Sequence, residues 1–301
     1  MTGGGFISVA LAYFFLGLYR GANSNYCNTV INELAPGRAS TMNGLHAMFS
    51  IGAFLFPLFL AGITVDSSEN WIYACLFMAF SGCISILLFA VCPVTGKKTA
   101  KDNTEQSDKG DNTWGFFKER LFYLSAAALF FYLCAETGVV SWMVTYFTDT
   151  GYISDTLAQL TASILWIMIL SGRLTTAFLS EKIDKRKLLP AMGAGLVFFF
   201  IFLLIVKNAV LIMIGIMGFG FFMAGVFPTT VSLTGGLIDR YPLSWSFILP
   251  ISSLGGVIMP SVIGYIAQKA GIASGISSIA FALIADLICI FLICSKKNAG
   301  E

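Results

Sequence analysis

Apolar residues gather in nine long runs separated by short polar segments: 6–34, 42–63, 71–92, 121–147, 157–179, 188–206, 210–238, 243–267 and 275–295. A helix needs roughly 20 mainly apolar residues to cross hydrocarbon, and these runs are of that length. Water is absent from the bilayer core, so each run must satisfy its own peptide groups. The runs are too uniformly apolar for the strand alternation of an outer-membrane barrel. The pattern predicts an all-α membrane protein of about nine transmembrane helices. Several runs contain Gly and Pro, which membrane helices tolerate because neighbouring helices satisfy the freed backbone groups.

Composition agrees, with 57% hydrophobic and 11% charged residues. The positions of the charges then set an orientation. Of 18 Lys and Arg, fourteen fall in one set of connections: Arg38, the residues from Lys97 to Arg120, those from Lys182 to Lys187, Arg240, Lys296 and Lys297. The alternate connections hold Lys207 and Lys269, and Arg20 and Arg173 lie within runs. The positive-inside rule makes the richer side cytoplasmic, which places the first residues outside and the C-terminus inside a cell membrane. The first run has no basic residue before it and extends past the length of a signal-peptide core, so it is expected to stay in the protein. A net charge of +2 gives no reason to expect a nucleic-acid partner. The seven cysteines lie in or at the ends of runs, without a CxxC pair and with one histidine in the chain, which predicts free thiols and no metal site. No phosphate loop, catalytic triad or cofactor motif is present, so nothing argues for an enzyme or a cofactor.

The longest polar stretch, 93–119, mixes Lys, Asp, Glu, Asn, Ser and Gly and reads as a solvated cytoplasmic linker. Three runs precede it and six follow. An internal repeat accounts for the imbalance: 49–63 lies on 252–266 without gaps, matching Ser50 with Ser253, Gly52 with Gly255, Pro57 with Pro260 and Ile63 with Ile266. The shared G-x4-P spacing falls in the second run of the short part and the fifth run of the long part. This predicts a partial N-terminal part over 1–92, the linker, and a six-helix part over 120–301.

A polar loop between two helical sets and a repeat at this offset resemble the major facilitator superfamily. The segment Leu179-Ser180-Glu181-Lys182-Ile183-Asp184-Lys185-Arg186-Lys187 looks like that family's cytoplasmic loop motif, with Glu181 in place of its Asp and Asp184 in place of its Gly. An acid at such a helix end beside a basic loop can latch neighbouring helices and release them as the halves rock. The segment from Met42 to Ala53 is similar to the fifth-helix signature of the fucose permease-like and sodium-dependent glucose transporter-like branch, with Asn43, His46, Gly52 and Ala53 on its positions. Gly17-x3-Gly21 and the asparagines after it suit that branch's fourth helix, whereas Arg20 departs from the permease pattern. The resemblance implies that the first part corresponds to helices 4–6 of the fold, with three helices missing in front. It also implies that the chain does not transport by itself, because the cavity of such folds lies between two halves.

Ionisable groups inside a membrane are costly unless they face a cavity or a partner, so each one is a site candidate. Arg20, mid-helix near Asn23 and Asn25, suits either a solute carboxylate or hydroxyl or a structural salt bridge. Asn25 and Asn28 share a helix face and Asn23 flanks it, as substrate ligands or as glue between helices. Asn43 and His46 stand three residues apart on one face, where His46 could relay protons or pack. Glu136 is the only charge within 121–147 and is the candidate to load and release a proton. Trp142, six residues on, is a candidate platform for a sugar ring. Asp286 interrupts the last run, a scaffold helix in the resembled fold. Together these residues suit a neutral polyhydroxyl solute such as a monosaccharide, imported with protons or sodium by alternating access. A multidrug efflux antiporter and a non-transporting scaffold are the other readings.

Overall fold

The structure is a computed structural model that describes residues 5–63, 70–91 and 114–295. Every regular element among them is helical: α1 (Phe6–Leu34), α2 (Ala39–Ile63), α3 (Trp71–Val91), α4 (Arg120–Thr150), α5 (Asp155–Leu179), α6 (Lys185–Ile205), α7 (Ala209–Met223), α8 (Val226–Arg240), α9 (Leu243–Ala270), α10 (Ile272–Ser277) and α11 (Ile279–Cys294), with a 3-10 turn at Gly115–Lys118. Among the described residues, seven helical stretches are long and apolar enough to cross a membrane, α7 with α8 and α10 with α11 each counting as one. A shorter apolar helix covers 72–88, and α2 occupies the remaining expected run.

Helix boundaries follow local chemistry. Ser154, Asp184 and Asn208 cap α5, α6 and α7 by accepting hydrogen bonds from the backbone N–H of Leu157, Arg186 and Val210 at 3.4, 2.9 and 3.0 Å. Gly151 closes α4 in the left-handed region at φ 63°, which a residue without Cβ adopts at no cost. Two expected runs are interrupted. The run 210–238 breaks between α7 and α8 at Ala224 and Gly225, and 275–295 begins at Ile272 with a break at Ser278. Pro228 gives the reason for the first break. It has no N–H to offer the Ala224 carbonyl one turn back, so the regular ladder cannot run through that point.

α4 is the hub, packed against α5, α8, α9, α10 and α11, while α2 packs on α5 and α8, and α1 on α2 and α9. Trp245, Tyr132, Phe122, Phe147 and Phe219 are fully buried in the core between these helices. Two glycines bring backbones into contact: a Cβ at Gly255 would run into the Phe130 carbonyl, and one at Gly172 into the Phe221 carbonyl. Gly52, the repeat partner of Gly255, has no such close neighbour among the described residues. Cys92, most of 93–119, and Lys296 and Lys297 lie outside the described residues. The end of the expected solvated linker is not all solvated, because Gly115 and Phe116 are buried and Phe116 packs against Phe122 and Phe247 at 5.0 and 5.6 Å between rings. Aromatic rings at a helix entry bury in preference to facing water.

Candidate functional site

The polar side chains of α1 that reach the interior lie in its last third. Asn28, 3% exposed, donates from Nδ2 to the Ser24 carbonyl at 2.7 Å. Its Oδ1 stands 3.3 Å from His46 Nε2 on α2, which joins two residues 18 apart in sequence. Asn25 accepts a hydrogen bond from Thr29 at 3.3 Å, and Asn23 is exposed with the Cys27 thiol at 3.7 Å. Arg20 is exposed on α1 and makes no hydrogen bond to a described residue.

Asn43 and His46 do share a face, and it meets α8. Asn43 Nδ2 donates to the Ala39 carbonyl at 2.9 Å and to Thr229 Oγ1 at 3.5 Å. Asn43 Oδ1 is buried with no partner among the described residues. The His46 ring stands edge-on to Phe227 at 5.3 Å, and Phe227 leans on Tyr132 of α4 at 5.9 Å. A chain of contacts therefore runs from α1 through α2 and α8 to α4.

On α4, Tyr132 and Glu136 are one turn apart and so share a side of the helix. The Tyr132 hydroxyl donates to the Met223 carbonyl at the α7–α8 break, at 3.3 Å. Trp142 is directed elsewhere. Its indole N–H donates to the Pro260 carbonyl of α9 at 3.0 Å and its ring packs on Gly264, so it joins α4 to α9 instead of standing beside Glu136. Asp286 on α11 is 1% exposed and its Oδ1 has no partner among the described residues.

The residue that ties the site together is Arg173 on α5, which the reading of single runs passed over. It is 3% exposed. Its Nη1 donates to the His46 carbonyl at 2.6 Å and to Ser50 Oγ, and its Nε donates to the Ala224 carbonyl at 3.4 Å. The last of these is the carbonyl that Pro228 leaves without a backbone partner. No described carboxylate lies within ion-pair distance of Arg173; the only such pair among the described residues is Arg240 with Glu119, at 3.5 Å. An Arg inside an apolar run was itself a visible signal; its partners were not, since they lie on α2 and at the α7–α8 break.

A second polar cluster closes one end of the bundle. Gly37, between α1 and α2 at φ 63°, offers its carbonyl to Lys185 Nζ and to Ser232 Oγ, the latter at 2.8 Å. Lys185 also reaches Ser232 Oγ at 3.2 Å, and Asn32 of α1 donates to Asp239 of α8 at 3.0 Å. The latch therefore uses Lys185 and Asp239, whereas Glu181 is exposed and takes no part. These contacts gather the connections that carry Arg38, Lys182 and Arg240 at one end. Lys207 and Tyr152 meet from two connections of the opposite set, with the ammonium 5.5 Å from the ring centre.

Comparison with known proteins gives this arrangement a family. The chain is 25% identical over 277 residues to the protein TsgA homolog of Erwinia tasmaniensis, covering 89% of this chain and 67% of that protein. It is 25% identical over 279 residues to the protein TsgA homolog of Serratia proteamaculans, covering 90% and 68%. Among solved structures, FucP, a major facilitator transporter in the outward conformation, shares the fold with a TM-score of 0.70 at 17% identity, over 89% of this chain and 72% of that one. A variant of the E. coli fucose:proton symporter FucP matches with a TM-score of 0.72, also at 17% identity and the same coverage. A model described as the Major Facilitator Superfamily matches residues 2–240, and the chain belongs to that superfamily of membrane transporters.

Proposed function

We propose that the protein works in proton-coupled secondary transport of a small polar solute, a sugar, by alternating access. The observation that carries the reading is the placement of Glu136. It lies on α4 one turn from Tyr132, which meets Phe227 of α8, and Phe227 in turn meets His46 of the Asn28–His46 pair. A carboxyl in that position can exchange a proton during a cycle, because a charge is costly to hold inside the bundle and protonation removes it. Asn25 and Asn28 offer the amide donors and acceptors that hydroxyl groups need. His46 holds Asn28 in place, and Trp142 supports the wall by fixing α4 to α9.

The two bodies that rock are assigned to 1–92 and 120–301, joined through 93–119. The Lys185–Gly37–Ser232 and Asn32–Asp239 contacts cross from one body to the other. They would hold one end shut while the other is open, and they must break for the solute to leave on the closed side. The fucose:proton symporter fold supports the proton and sugar assignment as an analogy.

Orientation follows from the charge asymmetry, with the latch end and the C-terminus cytoplasmic. Cysteine replacing Ser154 is expected to react with an impermeant maleimide on intact cells, and cysteine replacing Ser295 only after permeabilisation. Labelling of the second in intact cells would reverse the topology.

The solute class is tested by competition. Monosaccharides are expected to displace one another from the purified protein and to be unaffected by a lipophilic cation such as tetraphenylphosphonium. Displacement by the cation with no competition among sugars would replace the sugar reading with multidrug efflux.

A further inference from the structure

Trp142, the platform expected for a sugar ring, is tied to the Pro260 carbonyl of α9, which leaves that role open. Another aromatic ring touches both sides of the site. Phe227, in the first turn of α8, meets the His46 ring edge-on at 5.3 Å and the Tyr132 ring at 5.9 Å, tilted by 52°. His46 stands 3.3 Å from Asn28, and Glu136 follows Tyr132 by one turn of α4. The α7–α8 break fixes where this ring sits. Pro228 prevents the helix from running through, so α8 starts anew at Val226, and Gly225 lies so close to α5 and α6 that a Cβ there would run into Thr176 and Met192. Burial sets Phe227 apart from the core aromatics: Phe122, Phe147 and Trp245 are 1% exposed, whereas Phe227 keeps 9%, and His46 and Glu136 are half-buried. The ring therefore lies at the edge of the packed core and bridges the two polar groups.

On the reading that the solute is a sugar, we infer that Phe227 is the residue that selects a closed sugar ring: the C–H face of a pyranose lies against Phe227 while its hydroxyl rim bonds to the Asn28–His46 pair on one side and to Glu136 on the other. A pyranose is amphipathic in the sense this requires. Its C–H groups gather on a face and gain from leaving water, and the electron-rich face of an aromatic ring takes them well. Its hydroxyls lie round the rim, where they need donors and acceptors. An apolar wall flanked by a few polar groups is the arrangement that orients a small ligand. An open-chain polyol carries the same hydroxyls without a fixed face, and it must freeze its torsions to present one. The wall therefore favours the ring over the chain.

The test is calorimetric titration of the purified protein with two matched pairs, glucose against glucitol and galactose against galactitol. The ring form of at least one pair is expected to bind about tenfold tighter than its open-chain partner, from the aromatic contact and the torsions already frozen. Phe227→Leu and Phe227→Met keep an apolar side chain of comparable size without a ring, and each is expected to reduce that ratio about threefold or more. Phe227→Tyr keeps the ring and is expected to keep the ratio. A role in packing alone would weaken both members of a pair alike. An unchanged ratio in the leucine and methionine variants would therefore overturn the assignment to Phe227. Equal binding of ring and chain by the wild type would overturn the inference and leave a polyhydroxyl solute standing. Binding of none of the four, with binding of tetraphenylphosphonium, would overturn the sugar reading itself.

Discussion

Arg173→Met is expected to abolish solute binding and to lower stability by about 3–5 kcal/mol, the range found when one member of a buried charged network is removed. Methionine matches the unbranched stem of the arginine as far as Nε but has no donor. Three acceptors lose their partner: the His46 carbonyl, Ser50 Oγ and the Ala224 carbonyl. The Ala224 carbonyl is the most exposed to the loss, since Pro228 cannot replace the donor. Each buried acceptor left without a donor costs about 1–3 kcal/mol, offset in part by no longer burying a charge. The His46 carbonyl and Ser50 lie on α2, the Ala224 carbonyl at the α7–α8 break, and Arg173 itself on α5, so one substitution loosens three elements together. Arg173→Lys keeps the charge without the fork and is expected to fall between Met and the wild type. Thermal unfolding in detergent, followed by binding measured well below the lowered midpoint, separates the two effects. Wild-type stability and affinity in Arg173→Met would show that the network is dispensable.

The second large effect is expected at Glu136. Glu136→Gln keeps the size and a hydrogen-bonding terminus but cannot titrate. If the solute binds together with a proton on this carboxyl, wild-type affinity falls by up to about tenfold for each unit that pH rises above the carboxyl's pKa. The glutamine resembles the protonated form, so its affinity should stay near the wild type's low-pH value at every pH. In accumulation assays the same change should abolish concentration against a gradient while exchange of bound solute persists. A variant that still shows the wild-type pH dependence would remove Glu136 from the coupling.

The spans themselves were legible because bilayer thickness imposes a length on every apolar run, and α1 occupies the residues its run predicts. Interruptions were harder to read. Apolarity is blind to backbone breaks, and the pairing of Gly225 with Pro228 was the only local mark of the one between α7 and α8. The i, i+3 pair Asn43 and His46 was readable from helix geometry, and both side chains do meet α8. The same geometry explains Trp142. Six residues turn a helix by about 600°, so Trp142 stands well away from Glu136, while Tyr132, one turn before it, shares its side. What no single run could reveal is which helices meet. The Asn28–His46 contact, the reach of Arg173 to α2, and the use of Lys185 instead of Glu181 in the latch all join residues whose proximity is set by tertiary packing.

The central claim, that solute and proton share the site around Glu136, is tested most directly by counting protons as solute binds to the purified protein in weakly buffered solution near neutral pH. Wild-type protein is expected to take up about one proton per solute bound, and Glu136→Gln to bind solute with no uptake. Solute binding by the wild type without proton uptake, or uptake undiminished in Glu136→Gln, would contradict the account.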